Sequence, residues 1–477
     1  MGNRNGSLTM AASASALLAV GTSIALAILS LPWVTQFPAG LIRDDGYFYA
    51  QIAYNIGTAG QSSFDGVNLT DGYHQLWCYL LAALSFVLQF FTTEKGVHLT
   101  AYISLNILVI FASARIASRT WLGRTAFFLL VALCSFLMEG HLALLLVMLG
   151  FAIHEAELDR RRWNWGMMLA PLARIDSVLV FAPLLLRAML RKDRDGIWSA
   201  ALPLLTGIGL HLGLMKLIHG SLASVSSQSK AAIAGSQGIQ LFNNLFHGTE
   251  SLPIPINPMP LIGIVLAIVA VAQLVRKPSR EAEWMILAGG AVFMATHLAL
   301  NTARPWYFTI PYGCFLWVIL RVSEASEKRQ LAWSGAVALA CLALLGLGYR
   351  QALKFSDEAL ATREFIQQMD TLVPGNELIY QVDGSGYIGW TSQRRVVNGD
   401  GLVNSHDYLV KLRRRQLSSY LVDNNIRYLI TNKWDRQSED LVRVGGLVVK
   451  RSQAEPLLEK SGNGRYFFTQ LILWRLR

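Results

Sequence analysis

The sequence predicts an α-helical polytopic membrane protein with a small C-terminal α/β domain, and three observations carry that prediction. Of 477 residues, 53% are hydrophobic and only 15% charged, whereas a soluble domain carries about 25% charged residues. Apolar runs recur as far as residue 349, many of them near the roughly 17–25 residues that a helix needs to cross a bilayer. Residues 350–477 hold no such run and alternate between strand-like and amphipathic stretches.

The net charge of +11 does not point to nucleic acid. Arg and Lys cluster in short loops between apolar runs, as in Arg160–Arg162, Arg191-Lys192 and Arg276-Lys277. That is the inside-positive pattern of a membrane protein, so the expected partner is a lipid bilayer. Cys78, Cys134, Cys314 and Cys341 all lie in apolar runs without a CxxC pair. They read as packing residues, and neither a zinc site nor a disulfide framework is indicated.

The first apolar run, 9–31, reads as a signal anchor that is retained. The others are 74–91, 99–116, 125–138, 141–157, 165–190, 198–218, 259–276, 283–300, 306–320 and 331–349. Arg4 places the N-terminus inside, so the loop that follows is outside. Arg115, Arg119 and Arg124 belong inside, so either 74–91 or 99–116 does not cross. Segment 74–91 is short and starts amphiphilic with His74-Gln75, and is expected to lie at the interface. Residues 32–98 then form the first extracytoplasmic loop. Segments 125–138 and 141–157 form a hairpin with Glu139-Gly140-His141 at its tip. Segment 165–190 has basic flanks and Arg174-Ile175-Asp176 at its middle, and is expected to be two short helices bent at that tripeptide. About eleven spans result, with a transmembrane module at 1–349 and an extracytoplasmic domain at 350–477. In the latter, strands are expected at 377–382, 395–398, 427–431 and 447–450, and helices near 357–370 and 405–423.

This topology has a chemical consequence. Asp44, Asp45, Glu139, His141, Arg174, Asp176, Lys230 and Arg304 all fall on the outer side. Ionisable groups near a membrane are costly and usually functional, so a one-sided set implies one site. Adjacent carboxylates beyond a span suit a general base or a divalent cation, and also a helix cap. Arg174 next to Asp176 could equally form a local pair. His74 and His141 lack zinc-ligand spacing and read as interfacial hydrogen-bonding groups. Tyr47, Tyr49, Trp77 and Trp306 fit sugar stacking or an interfacial belt.

The motifs add a resemblance. Asp44-Asp45-x-Tyr-x-Tyr, followed by Gly72-Tyr73-His74-Gln75-Leu76-Trp77, resembles the first loop of bacterial GT-C-fold glycosyltransferases of the arabinofuranosyltransferase-like and aminoarabinose-transferase-like groups. Met138-Glu139-Gly140, Leu172-Ala173-Arg174-Ile175-Asp176, the stretch from Gly220 to Lys230, Arg304-Pro305-Trp306-Tyr307, and Asp383-Gly384 with Asn398–Leu402 are similar to later motifs of that family, in the same order. Ile175 stands where the family has Pro, and the Pro expected near 224 is missing.

The resemblance implies an inverting transfer from a polyprenyl phosphate sugar to an envelope glycan or lipid acceptor. It implies Asp44 as base, with Asp45 supporting it or helping to hold a divalent cation. Arg174, Lys230 and Arg304 are the implied donor-phosphate groups. Glu139, His74, Tyr47, Asp176 and Tyr307 are the candidate sugar or acceptor contacts. The C-terminal domain, which lacks a nucleophilic Ser/His/Asp set, is expected to recognise acceptor or cover the site. The rivals are a flippase of lipid-linked glycan, which would tend to show paired broken helices in two halves, and a non-catalytic glycan-binding scaffold.

Overall fold

A computed structural model describes residues 42–134, 136–156, 163–234, 258–276, 280–300, 304–323, 326–354, 356–432, 435, 438, 440–461 and 470–477. Segment 9–31 and the Arg160–Arg162 loop lie outside these. The helical part comprises α1 (Asp44–Ala59), α2 (Gln75–Leu88), α3 (Lys95–Ala117), α4 (Trp121–Ala132), α5 (Gly140–Ala156), α6 (Trp165–Ala173), α7 (Val178–Leu190), α8 (Arg194–His219), α9 (Val225–Ala234), α10 (Pro258–Leu274), α11 (Glu281–Ala299), α12 (Thr309–Ser323) and α13 (Glu327–Lys354).

Among the described residues, three helices are long and apolar enough to cross a membrane: α3, α8 and α11. The expectation of about eleven spans is not met on that criterion. The apolar helices α2, α4, α5 and α10 are shorter, and a crossing takes about 20 residues. Segment 165–190 is interrupted at its centre. Exposed Leu202, Leu205, Leu210 and Leu217 give α8 an apolar flank, which suits lipid contact. The short helix α2 buries Trp77, Cys78 and Leu81 and leaves Phe86 and Val87 exposed, with Phe90 and Phe91 just beyond its end. Trp77 therefore belongs to the core rather than to a belt, and its Nε1 donates to the Leu137 carbonyl at 2.8 Å.

The break in 165–190 has local causes. Asn164 caps α6 by accepting from the Met167 amide, and its Nδ2 donates to the Gly150 carbonyl at 2.8 Å. Helix α6 crosses α5 so closely that a Cβ on Gly166 would sit 2.3 Å from the Gly150 nitrogen. Small residues at such crossings let backbones approach in a membrane bundle. Arg174 then turns extended, with φ −163° and ψ 111°. A short 3-10 turn over Ile175–Ser177 leads into α7.

The C-terminal region opens with α14 (Ser356–Leu372) and continues as β1 (Leu378–Gln381), α15 (Ser385–Thr391), β2 (Arg395–Asn398), α16 (His406–Arg413), α17 (Leu417–Asp423), β3 (Tyr428–Thr431), β4 (Leu441–Val444), β5 (Leu447–Lys450), β6 (Ala454–Ser461) and β7 (Gln470–Leu476). A five-stranded sheet has the order β2-β1-β3-β7-β6. Strand β1 runs parallel to β2 and β3, while β7 is antiparallel to β3 and β6.

Strand alternation sends side chains to two cores. Ile379, Val396, Ile430 and Leu473 join the large core that continues into the helical bundle. Tyr380, Val397, Leu429 and Trp474 pack with Tyr408 and Leu421 on the other face. The sequence reading lacked β4, β6, β7 and α15, and ran α16 and α17 together.

Candidate active site

Helix α1 sets the two acids apart. Arg43 precedes it in an extended conformation, and no side chain caps α1. Both carboxylates occupy its first turn, where the helix dipole favours negative charge. Asp44 turns to the C-terminal domain. Its Oδ1 accepts from the Tyr387 amide at 2.8 Å and its Oδ2 from the Gly386 amide at 3.2 Å. Asp44 thus caps a helix, but α15 rather than its own. The approach demands glycine at 386, since a Cβ there would lie 2.3 Å from the Asp44 carbonyl oxygen. Tyr47 joins the same junction, edge-on to Tyr387 with centroids 5.2 Å apart.

Asp45 faces a cavity of about 320 Å³ between the bundle and the C-terminal domain. His74, Glu139, Arg174, Asp176, Lys230 and Tyr307 line it with Asp45. Leu402 and Val403, from the loop after β2, supply part of its wall. In parallel sheets the loops at the carboxyl ends of the strands are where ligands usually meet the fold.

Arg174 is the buried hub of the cavity, 1% exposed. Its Nε and Nη2 donate to the two Asp176 oxygens at 2.7 and 2.9 Å. Its Nη1 donates to Glu139 Oε1 at 2.6 Å. Its guanidinium lies over the Tyr307 ring, 4.0 Å from the centroid. His297 Nε2 sits 3.0 Å from Asp176 Oδ2, and His74 Nε2 is 3.5 Å from Glu139 Oε1. Each nitrogen of Arg174 therefore serves a carboxylate, which is the local pairing the sequence left open. Lys230 is different. It lines the cavity from α9, and its ammonium makes no hydrogen bond or ion pair with any described residue. Arg304 is exposed at the start of the 3-10 turn Pro305–Phe308 and does not line the cavity.

Burial pushes the Asp45 carboxyl up, and Glu139 adds to this, while Lys230 and Arg304 pull it down; the net shift is upward. Asp44 is pushed up to about 7, chiefly by burial, against the pull of the Tyr387 amide. Burial lowers His74 to about 4 despite Glu139 beside it, so this ring is neutral at neutral pH. His141 is buried away from the cavity, with Nε2 3.1 Å from the Val131 carbonyl.

Of the ionisable set expected on one side, the cavity gathers Asp45, Glu139, Arg174, Asp176 and Lys230 and leaves out Asp44, His141 and Arg304; the candidate contact Tyr47 lies outside it too. His297, Asp71 and His406 escaped the sequence reading. His297 lies in an apolar run with no motif around it, and the partners of Asp71 are distant in sequence. The described residues contain no group of three His, Cys, Asp or Glu placed to hold a metal.

The chain is similar to ArnT from Cupriavidus metallidurans bound to undecaprenyl phosphate, at 12% identity and a TM-score of 0.50, over 88% of this chain and 94% of that one. It is also similar to the oligosaccharyltransferase of Archaeoglobus fulgidus in the apo form, at 12% identity and a TM-score of 0.47, over 87% and 69% of the two chains. No protein-family profile and no curated protein matches it. The likeness to ArnT is one of fold.

Proposed function

We propose that the protein is an inverting glycosyltransferase that moves a sugar from a polyprenyl phosphate donor to a cell-envelope glycan, lipid or protein acceptor at the outer face of the cytoplasmic membrane. The observation that carries this is the pairing pattern of the cavity. Arg174, Glu139 and Asp176 bind one another, so among the described charged groups that line the cavity Asp45 and Lys230 are the ones without an ion-pair partner. One is a carboxylate with a raised pKa, suited to take a proton. The other is a cation suited to a departing phosphate.

In this reaction the acceptor hydroxyl oxygen bonds to the anomeric carbon as the bond from that carbon to the phosphate oxygen breaks. The lipid phosphate leaves with the electron pair, and the hydroxyl proton passes to Asp45. The role of base, expected at Asp44 from the motif, moves by one residue, because Asp44 is bound to Gly386 and Tyr387. Lys230 contacts the phosphate, and Arg304 adds longer-range positive potential. Arg174 holds Glu139 and Asp176 in place as sugar-facing acceptors, and Tyr307 and His74 complete the wall. A divalent cation shared by Asp44 and Asp45 has less support, since the two carboxylates serve different neighbours.

The membrane arrangement of this reading has about eleven crossings, an interfacial α2, and the C-terminal domain outside. Support comes from the apolar exposed flank of α2 and the break at Arg174. The placement near the arabinofuranosyltransferase-like and aminoarabinose-transferase-like groups rests on the motifs. ArnT, the structure of like fold, holds undecaprenyl phosphate. The test is a transfer assay with purified protein and a panel of polyprenyl phosphate sugars. Asp45→Asn is expected to lower kcat by about 10²–10⁴-fold. Transfer by that variant at the wild-type rate would sink the assignment, and transbilayer movement of lipid-linked glycan without transfer would favour the flippase.

A further inference from the structure

Among the described residues no hydrogen bond or ion pair holds the Lys230 ammonium, which feels Tyr307, Asp45 and Glu139 through their charge, so its position depends on how α9 is seated. The start of α9 packs through buried Val225 and, among the described residues, is hydrogen-bonded to the first loop through one carboxylate. Asp71, from the first loop, is 1% exposed. Its Oδ1 accepts from the Val225 amide at 2.7 Å, which is the first residue of α9. Its Oδ2 lies 3.0 Å from His406 Nε2, at the first residue of α16. His219, the last residue of α8, lies within electrostatic reach of Asp71 and His406, and Tyr79 within that of Asp71. Asp71 therefore joins the first loop, α9 and the C-terminal domain at one point.

Further along α9 the same domain makes two more ties. Ser229 Oγ donates to the Asp400 carbonyl at 3.0 Å, and Arg413 Nη2 donates to the Gln228 carbonyl at 3.0 Å. Lys230 follows directly, between one and two turns from Val225. A helix of ten residues is marginal alone in water, so these outside contacts decide where its side chains lie.

We propose that Asp71 is a positioning residue for Lys230. Its carboxylate fixes the first turn of α9 against the C-terminal domain and so holds the ammonium in the cavity. The functional part of this rests on the reading of Lys230 as the phosphate-binding group. The positional part does not, and the test separates them.

The first measurement is the rate of Lys230 acetylation by an N-hydroxysuccinimide ester, read by mass spectrometry on the full chain in nanodiscs. Asp71→Ala is expected to raise that rate at least about threefold. Asp71→Asn, whose amide oxygen can still accept from Val225, is expected to stay within about twofold of wild type. An unchanged rate in Asp71→Ala overturns the proposal whatever Lys230 binds. The second measurement is the Kd for undecaprenyl phosphate. Asp71→Ala is expected to weaken it about tenfold in the wild-type background and not at all beside Lys230→Ala, as two changes acting on one contact do. Equal weakening in both backgrounds overturns the proposal. Wild-type binding by Lys230→Ala alone refutes the phosphate reading, while the acetylation rate still decides Asp71.

Discussion

Asp45 shares its cavity with Lys230, and that proximity fixes how the rate should respond to pH. A base must be unprotonated, so activity falls as pH drops through the Asp45 pKa. Burial has raised that pKa and Lys230 lowers it in part. Removing the ammonium raises it further, so Lys230→Ala is expected to move the acid limb of the kcat/KM profile to higher pH, and a limb that stays or moves down contradicts the pairing. Gly386→Ala tests the neighbouring acid. A Cβ at 386 meets Asp44 backbone and carboxylate, so the variant should loosen the docking of α15 on α1, read as faster proteolysis within 350–477. The sequence made the acidic pair legible, and even the idea that one member caps a helix. It could not say which helix, because the partner amides lie more than three hundred residues away in the chain.

At the scale of elements, the junction of α6 and α7 concentrates buried charge. Removing one partner of a buried ion pair leaves the others uncompensated and costs about 3–5 kcal/mol. Arg174→Ala, which strands Glu139 and Asp176, is expected to destabilise by that order in chemical denaturation. Arg174→Lys should recover only part of it, since an ammonium cannot reproduce the fork on Asp176. A neutral outcome for Arg174→Ala would mean the network is not a structural hub. The interruption was legible because three polar-flanked residues, Arg174-Ile175-Asp176, sit amid apolar ones. The strands β6 and β7 were not. Strand β6 carries Pro456 and charged Glu455, Glu459 and Lys460 and lies at the sheet edge, where such residues are tolerated and where they hide the alternation that reveals a strand.

At the scale of the whole molecule, the C-terminal domain and its junction with the bundle hold acids that are uneasy as anions. Asp44, Asp400 and Asp435 are pushed up to about 7, 8 and 6, each chiefly by burial, against about 3.9 for a free Asp. The folded state therefore binds more protons than the unfolded one between those limits, and stability falls as pH rises through the window. The midpoint of thermal unfolding is expected to drop between about pH 4 and pH 8, and Asp44→Asn should flatten part of that slope; a midpoint that rises with pH contradicts it. That Asp45, Glu139, Arg174, Asp176 and Lys230 share one cavity was legible from charge and crossing parity, since both are properties of the chain. That Leu402 and Val403 would close the cavity was not, because docking of a domain leaves no periodic mark in sequence.

The first turn of α1 has one more consequence, which concerns spacing rather than chemistry. Successive residues on a helix are rotated by about 100° and raised by about 1.5 Å. Asp44 and Asp45 therefore look in different directions only while they keep their phase to Gly46 and the packed residues beyond it. An alanine inserted between Arg43 and Asp44 leaves that phase intact and instead displaces buried Ile42, which bridges to Phe136. The same alanine inserted after Asp45 would swing domain anchor and base away together. The stretch after the dipeptide is therefore expected not to tolerate a change in length.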